Sequence, residues 1–234
     1  MMTSSHFPHL NTLTRALQHH GVIKCCTLAL SEALQSVLNH LYLHERHVWF
    51  VLSTHSVRAV SLADGMILQP VSGPQVDLLS EQALCGRRVV ENYLRHRGQP
   101  WVVMDGQRVA FCCWIFTKEM PLVVARGGWH ALPVSTACLE ASVTSADYRG
   151  RGIAPAAWLG IAAILKERGI HRMVTKVEED NAASRRAVVK AGFHEIAVVD
   201  FQRMGLSRYK TIEPRSILHL NDLETLVDLQ LDKA

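Results

Sequence analysis

The segment Arg149-Gly150-Arg151-Gly152-Ile153-Ala154-Pro155 sets two cations and two glycines directly before an apolar helical run. The chemistry such a segment offers is anion binding. A helix start leaves its first backbone N–H groups without intrahelical partners and carries about half a positive charge. A phosphate placed there gains hydrogen bonds and field together. Gly150 and Gly152 let the backbone approach closely, and Pro155 suits the first turn, where its missing N–H costs nothing. The spacing is neither Gly-x-x-x-x-Gly-Lys nor Gly-x-Gly-x-x-Gly, so nucleoside triphosphate and dinucleotide readings lose support.

Positioning this segment requires a strand before it and a helix after it. Leu139 to Thr144 reads as the strand, and Ala154, Ala157, Trp158, Ile161 and Leu165 fall on one face of a helix of about 14 residues that stops at Gly169. A second strand and helix follow: Val174 to Val177, then a helix capped by Asp180 or Asn181 and ended by Gly192. Ala183, Ala187, Val188 and Ala191 are expected to pack, with Arg185, Arg186 and Lys190 facing solvent. Trp101 to Met104 and Val109 to Phe116 flank Asp105-Gly106-Gln107, a strong hairpin signal. Helical spacing over Asp77 to His96 predicts one helix, ended by Gly98 and Pro100, and Val48 to Leu52 and Glu195 to Phe201 predict two more strands. Residues 1 to 45 read as two helical stretches separated by Gly21. If the second continued, His40, His44 and His47 would share a helix face; a metal site there competes with a solvated face, and no second cluster completes a coordination shell.

Taken together, the two strand–helix segments resemble the GNAT superfamily of acyl-CoA-dependent N-acyltransferases. The superfamily's Arg/Gln-x-x-Gly-x-Gly/Ala motif stands here as Arg149-x-x-Gly152-x-Ala154, and its Asn-x-x-Ala/Ser helix ending in Gly-Phe stands as Asn181-x-x-Ser184 and Gly192-Phe193. The resemblance covers about residues 78 to 205. It implies an α/β fold with a GNAT-type mixed central sheet and flanking helices, joined here to a largely helical N-terminal extension. The organisation expected is an extension or subdomain over 1–76, a GNAT-like domain over 77–210 and a C-terminal tail over 211–234. It further implies that Leu139 to Thr144 and Val174 to Val177 splay apart to admit a pantetheine arm. Backbone groups of Val143 and Thr144 would bind that arm, the N–H groups from Arg149 through Gly150, Arg151, Gly152 and Ile153 to Ala154 would hold a pyrophosphate, Asn181 would bind pantetheine or position the thioester, and Ser184 could contact a phosphate.

The activity implied is transfer of an acetyl group from acetyl-CoA to a primary amine, which needs a base, an oxyanion donor and sometimes an acid for the departing thiolate. Glu140, four residues before Thr144 on the same strand, is the candidate base, and the Val143 N–H the candidate oxyanion donor. The sequence departs from the family pattern twice. Val188 occupies the position that often holds a Tyr general acid, leaving Tyr148 and Tyr209 as substitutes without a positional argument. Pro155 removes one N–H donor from the phosphate turn. The alternatives are a catalytically silent acyl-CoA-binding module and a longer-chain acyltransferase.

Composition is consistent with a soluble folded protein: 234 residues, 48% apolar and 20% charged. Twenty-five Lys and Arg against 21 Asp and Glu give a formal charge of +4, with the cations scattered, which argues against nucleic acid as partner. The run Ile153 to Leu165 is too short to cross a bilayer and carries Pro155 and Gly160, so no membrane span is expected. With no secretory signal, a cytoplasmic location is the expectation. The six cysteines, which include two adjacent pairs and no Cys-x-x-Cys, read as reduced and mostly buried thiols. A small-molecule amine is the favoured acceptor, with a protein acceptor as the alternative, and relatives that pair through sheet edges make a homodimer one option.

Overall fold

The computed structural model describes residues 42–58, 60–63, 65–82, 84–122, 128–205 and 207–215. The chain divides into two compact units, 1–44 with 201–210 and 45–200 with 211–234. The two helices expected within residues 1 to 45 lie almost wholly outside the described residues, as do His40, Cys25 and Cys26.

The strands of the main sheet lie in the order β10, β9, β1, β8, β7, β4, β3, β2, with β8, β7, β4, β3 and β2 wholly in the larger unit. Their bounds are β1 Tyr42–Ser53, β2 Met66–Pro70, β3 Gln99–Asp105, β4 Arg108–Phe116, β7 Thr136–Thr144, β8 Arg172–Glu178, β9 His194–Met204 and β10 Ser207–Pro214; β5 (Glu119–Leu122) and β6 (Gly128–Ala131) form a separate hairpin. Helices α1 (Asp77–Glu81), α2 (Arg87–Arg95), α3 (Ile153–Glu167) and α4 (Ala182–Lys190) complete the unit. It is a mixed α/β fold with a large central mixed sheet, as expected. Apolar side chains fill both faces of the sheet. Leu139, Phe111 and Phe50 pack with Trp158, Ile161 and Leu165 of α3 and Val188 of α4 in one cluster; Trp114, Cys138 and Val174 pack with Leu79 of α1 and Tyr93 of α2 in the other.

Several expectations are corrected. The helix over 77–96 is two helices, α1 and α2, broken between Gln82 and Gly86. β1 begins at Tyr42, so His44 and His47 stand on a strand, where residues three apart point to opposite faces, and the helical histidine face does not form. β1 pairs antiparallel with β8 from His47 opposite Glu178 to Ser53 opposite Arg172. The predicted hairpin is present: β3 and β4 pair across a turn in which Gly106 has φ +57°, a conformation glycine adopts without steric cost. Among the described residues Cys112, Cys113 and Cys138 are buried and Cys85 is half-buried, in line with mostly buried cysteines.

Two features prepare a site. First, β7 and β8 are parallel and pair only from Thr136 opposite Arg172 to Cys138 opposite Val174. Beyond that point the Leu139 carbonyl receives its hydrogen bond from the Thr175 hydroxyl at 2.9 Å, a side chain standing in where the ladder has ended. Second, β7 bulges against β4. Cys112 faces Val143 and Trp114 faces Glu140, so Ala141 and Ser142 together oppose Cys113, and Ala141 takes φ +47°.

Candidate acyl-donor groove

The helix start predicted from the sequence is the wall of a groove of about 590 Å³ between β7, α3 and α4. The chain reaches it through a short turn, Ala146–Tyr148, then passes Gly150 (φ +76°) and Gly152 (φ +72°) before entering α3. Both glycines occupy the left-handed region that other residues seldom adopt, which explains their place in the sequence. Gly152 caps α3, and the first intrahelical bond runs from Ala156 N–H to the Gly152 carbonyl at 3.2 Å. The N–H groups of Ile153 and Ala154 are left for a ligand, and Pro155 has none to offer. Trp158 anchors α3 to the bulge by donating from Nε1 to Ser142 Oγ at 3.2 Å, and its ring meets Phe111 and Phe193 edge-on.

The structure brings most of the predicted binding residues together. Val143, Thr144, Arg149, Gly150, Gly152, Ile153, Ala154, Asn181 and Ser184 all line the groove. Arg149 is steadied by donating from Nε to the Thr144 carbonyl at 3.3 Å. Asn181 caps α4 by accepting from the Ser184 N–H at 3.0 Å. The turn before it is fixed by Arg46, which meets Glu179 at 2.6 Å and both oxygens of Glu213 at 3.0 Å. Arg151 is set apart: its guanidinium lies 5.1 Å from the centre of the Tyr148 ring and is absent from the lining. Tyr148 contributes its flank to the groove while its hydroxyl donates to Asp105 at 2.9 Å, a bond that raises its pKa.

Glu140 is elsewhere. Its carboxylate forms a salt bridge with Lys176 inside the molecule, the two side chains being 10% and 5% exposed. Cys138 Sγ donates to the same carboxylate at 3.4 Å, and Lys176 Nζ also donates to the Pro121 carbonyl at 2.9 Å. Burial alone would lower the Lys176 pKa, but Glu140, with support from Cys138, outweighs it and the net shift is upward. On the neighbouring β1, Glu45 has its pKa raised by burial and by Glu178. His47 is held at about 4, chiefly by burial and then by Lys176. These groups border the point where β7 and β8 part.

Sequence reasoning missed several residues here, Arg186 and Ser142 of the lining among them. Lys176 is the one charged residue between Met173 and Val177, and a lone lysine in a short buried strand implies a buried anion; that signal was available. Lys190, expected to face solvent, lines the groove, with Nζ 4.0 Å from where a Cβ would stand on Gly152. Ala183, expected to pack, is exposed and also lines it.

An acyl-CoA fits what is present. Arg149, Arg186 and Lys190 are the charged residues of the lining, which includes no carboxylate, and the N–H groups of Ile153 and Ala154 at the start of α3 lie beside them. The comparisons agree with this geometry. The family model for the acetyltransferase (GNAT) family matches residues 76–193, half of the chain, and the chain belongs to that family. Members of the family transfer acyl groups, generally from acyl-CoA, to small-molecule or protein acceptors. None of the curated proteins compared is significantly similar in sequence.

Among solved structures, a GCN5-related N-acetyltransferase from Sphaerobacter thermophilus is similar at 14% identity and TM-score 0.50, over 80% of this chain and 58% of that one. The GCN5-related glucosamine N-acetyltransferase region of a fungal multi-domain GH3 beta-N-acetylglucosaminidase is similar at 11% identity and TM-score 0.51, over 77% of this chain and 23% of that one. A tandem GNAT protein from the clavulanic acid biosynthesis pathway is similar at 13% identity and TM-score 0.50, over 70% and 54%. These likenesses concern the fold, and the chain spans little more than half the length of the first of them. No helix among the described residues is long and apolar enough to cross a membrane.

Proposed function

We propose that this chain transfers an acetyl group from acetyl-CoA to a primary amine, a small-molecule amine being the favoured acceptor. The observation that carries the reading is the cationic groove at the start of α3, walled by Ser142 to Thr144 of β7 and by α4. Acetyl-CoA supplies the activated acyl carbon; the amine nitrogen attacks it, the carbon–sulfur bond breaks and the thiolate leaves. Ile153 and Ala154 offer backbone N–H groups to the pyrophosphate, Arg149 adds charge, and Val143 and Thr144 present strand backbone to the pantetheine arm. We assign the Val143 N–H to the developing oxyanion.

Glu140 supplies the carboxylate that assists deprotonation, receiving the amine's proton through water rather than by touching the amine, since its side chain is only 10% exposed. It is a positioning residue in this account. Val188 is 1% exposed in the core, so the usual acid position offers no proton, and the thiolate is protonated by water. A thiol pKa of about 8.5 makes that feasible.

A panel of amines assayed for CoA release from acetyl-CoA tests the reading. With an active amine, Glu140→Gln is expected to spare acetyl-CoA affinity, lower kcat by about tenfold or more and displace the pH profile. Val188 favours a second reading, a silent acyl-CoA-binding module. Stoichiometric acetyl-CoA binding with no amine-dependent CoA release across the panel would select it.

A further inference from the structure

A second groove, of about 530 Å³, adjoins the first along α4. Its lining combines apolar surface from Phe50, Ala182 and Val189 with the cations Arg185, Arg186 and Lys190. Glu195, also in the lining, lies 3.8 Å from Arg185 and 3.5 Å from Arg215, so its charge is engaged. Arg186 and Lys190 line both grooves. Among the described residues neither has a carboxylate partner, and Arg185 Nε is a buried donor without an acceptor. Lys190 Nζ stands over Gly152, in the same turn as Pro155, three residues on, which has no N–H to give.

An apolar wall with a basic rim suits a flat heteroaromatic ring that carries phosphate. Resting on the acyl-donor reading above, we propose that the nucleotide end of the acyl-CoA crosses from the first groove into the second, with Lys190 on the pyrophosphate and Arg186 on the 3′-phosphate. The adenine then lies against the apolar lining of the second groove. Lys190 compensates for Pro155: an ammonium from α4 takes the place of a backbone donor from α3. A cation bonded to a phosphate oxygen is a stronger contact than the neutral N–H it replaces.

Calorimetric titration of the full chain with acetyl-CoA and with acetyl-dephospho-CoA, which lacks only the 3′-phosphate, tests this without any turnover. Lys190→Gln is expected to lose about tenfold in affinity for both donors, and Arg186→Gln to lose several-fold for acetyl-CoA alone, each loss shrinking as salt is raised. Both side chains are exposed, so unchanged melting temperatures are expected and serve as the folding control. Wild-type affinity in Lys190→Gln would overturn the pyrophosphate role. An equal loss on both donors in Arg186→Gln would overturn the crossing. A wild-type protein that binds neither donor would instead refute the acyl-CoA reading itself, and the inference with it.

Discussion

At the scale of single residues, Lys176 and Glu140 carry the clearest energetic commitment. Two charges are held inside the sheet because each is the other's solvent, and removing one strands its partner. Lys176→Met is therefore expected to cost about 3 to 5 kcal/mol in urea denaturation, and adding Glu140→Gln to recover most of it. Additive costs in the double variant would show that the pair is not coupled. His47 makes a pH-dependent contribution. Its imidazole titrates at about 4 in the fold against an ordinary 6.5, because burial and then Lys176 disfavour the cation while Asp180 partly opposes them. Between those values the unfolded chain binds the proton and the folded one does not, so the contribution is complete above pH 6.5 and is lost as pH falls toward 4. It amounts to no more than about 3 kcal/mol. Stability measured at pH 7 and pH 5 is expected to differ less in His47→Gln than in the wild type; an unchanged difference would contradict the assignment.

At the scale of elements, the bulge in β7 sets where the strand turns its backbone toward the groove, and it depends on a left-handed Ala141. Ala141→Gly is expected to be neutral or to stabilise by up to about 1 kcal/mol, and Ala141→Val to destabilise by about 1 to 2 kcal/mol, both read from urea midpoints. A valine variant as stable as the wild type would mean that the bulge is not strained. Elements with local signals were legible in the sequence: α3 between Gly152 and Gly169, α4 between Asn181 and Gly192, and the hairpin at Gly106 all end on residues whose backbone demands are written in their type. The bulge was not legible, since it arises from the register of β7 against β4, and alanine carries no mark of it. The break between α1 and α2 was hidden because apolar spacing continues through Leu84 and Val89. The early start of β1 was hidden because its first six residues, Tyr42 to His47, are too polar to read as a buried strand.

At the scale of the whole molecule, the residues lining the groove were legible and the Glu140–Lys176 pair was less so. Residues around the phosphate turn are consecutive, so their motif shows in the sequence and the fold merely closes α4 over it. Lys190 escaped because its approach to Gly152 depends on how two helices pack, and the Glu140–Lys176 pair because it joins strands 36 residues apart. The central claim is that the groove at the start of α3 binds an acyl-CoA. The most direct test is isothermal titration of the purified chain with acetyl-CoA and with CoA, alongside Gly152→Asp, which sets a side chain at φ +72° and a negative charge beside the pyrophosphate. The account predicts binding near one per chain in the wild type and a loss of at least about tenfold in the variant. Equal affinity in the two proteins, or no binding of either ligand by the wild type, would contradict it.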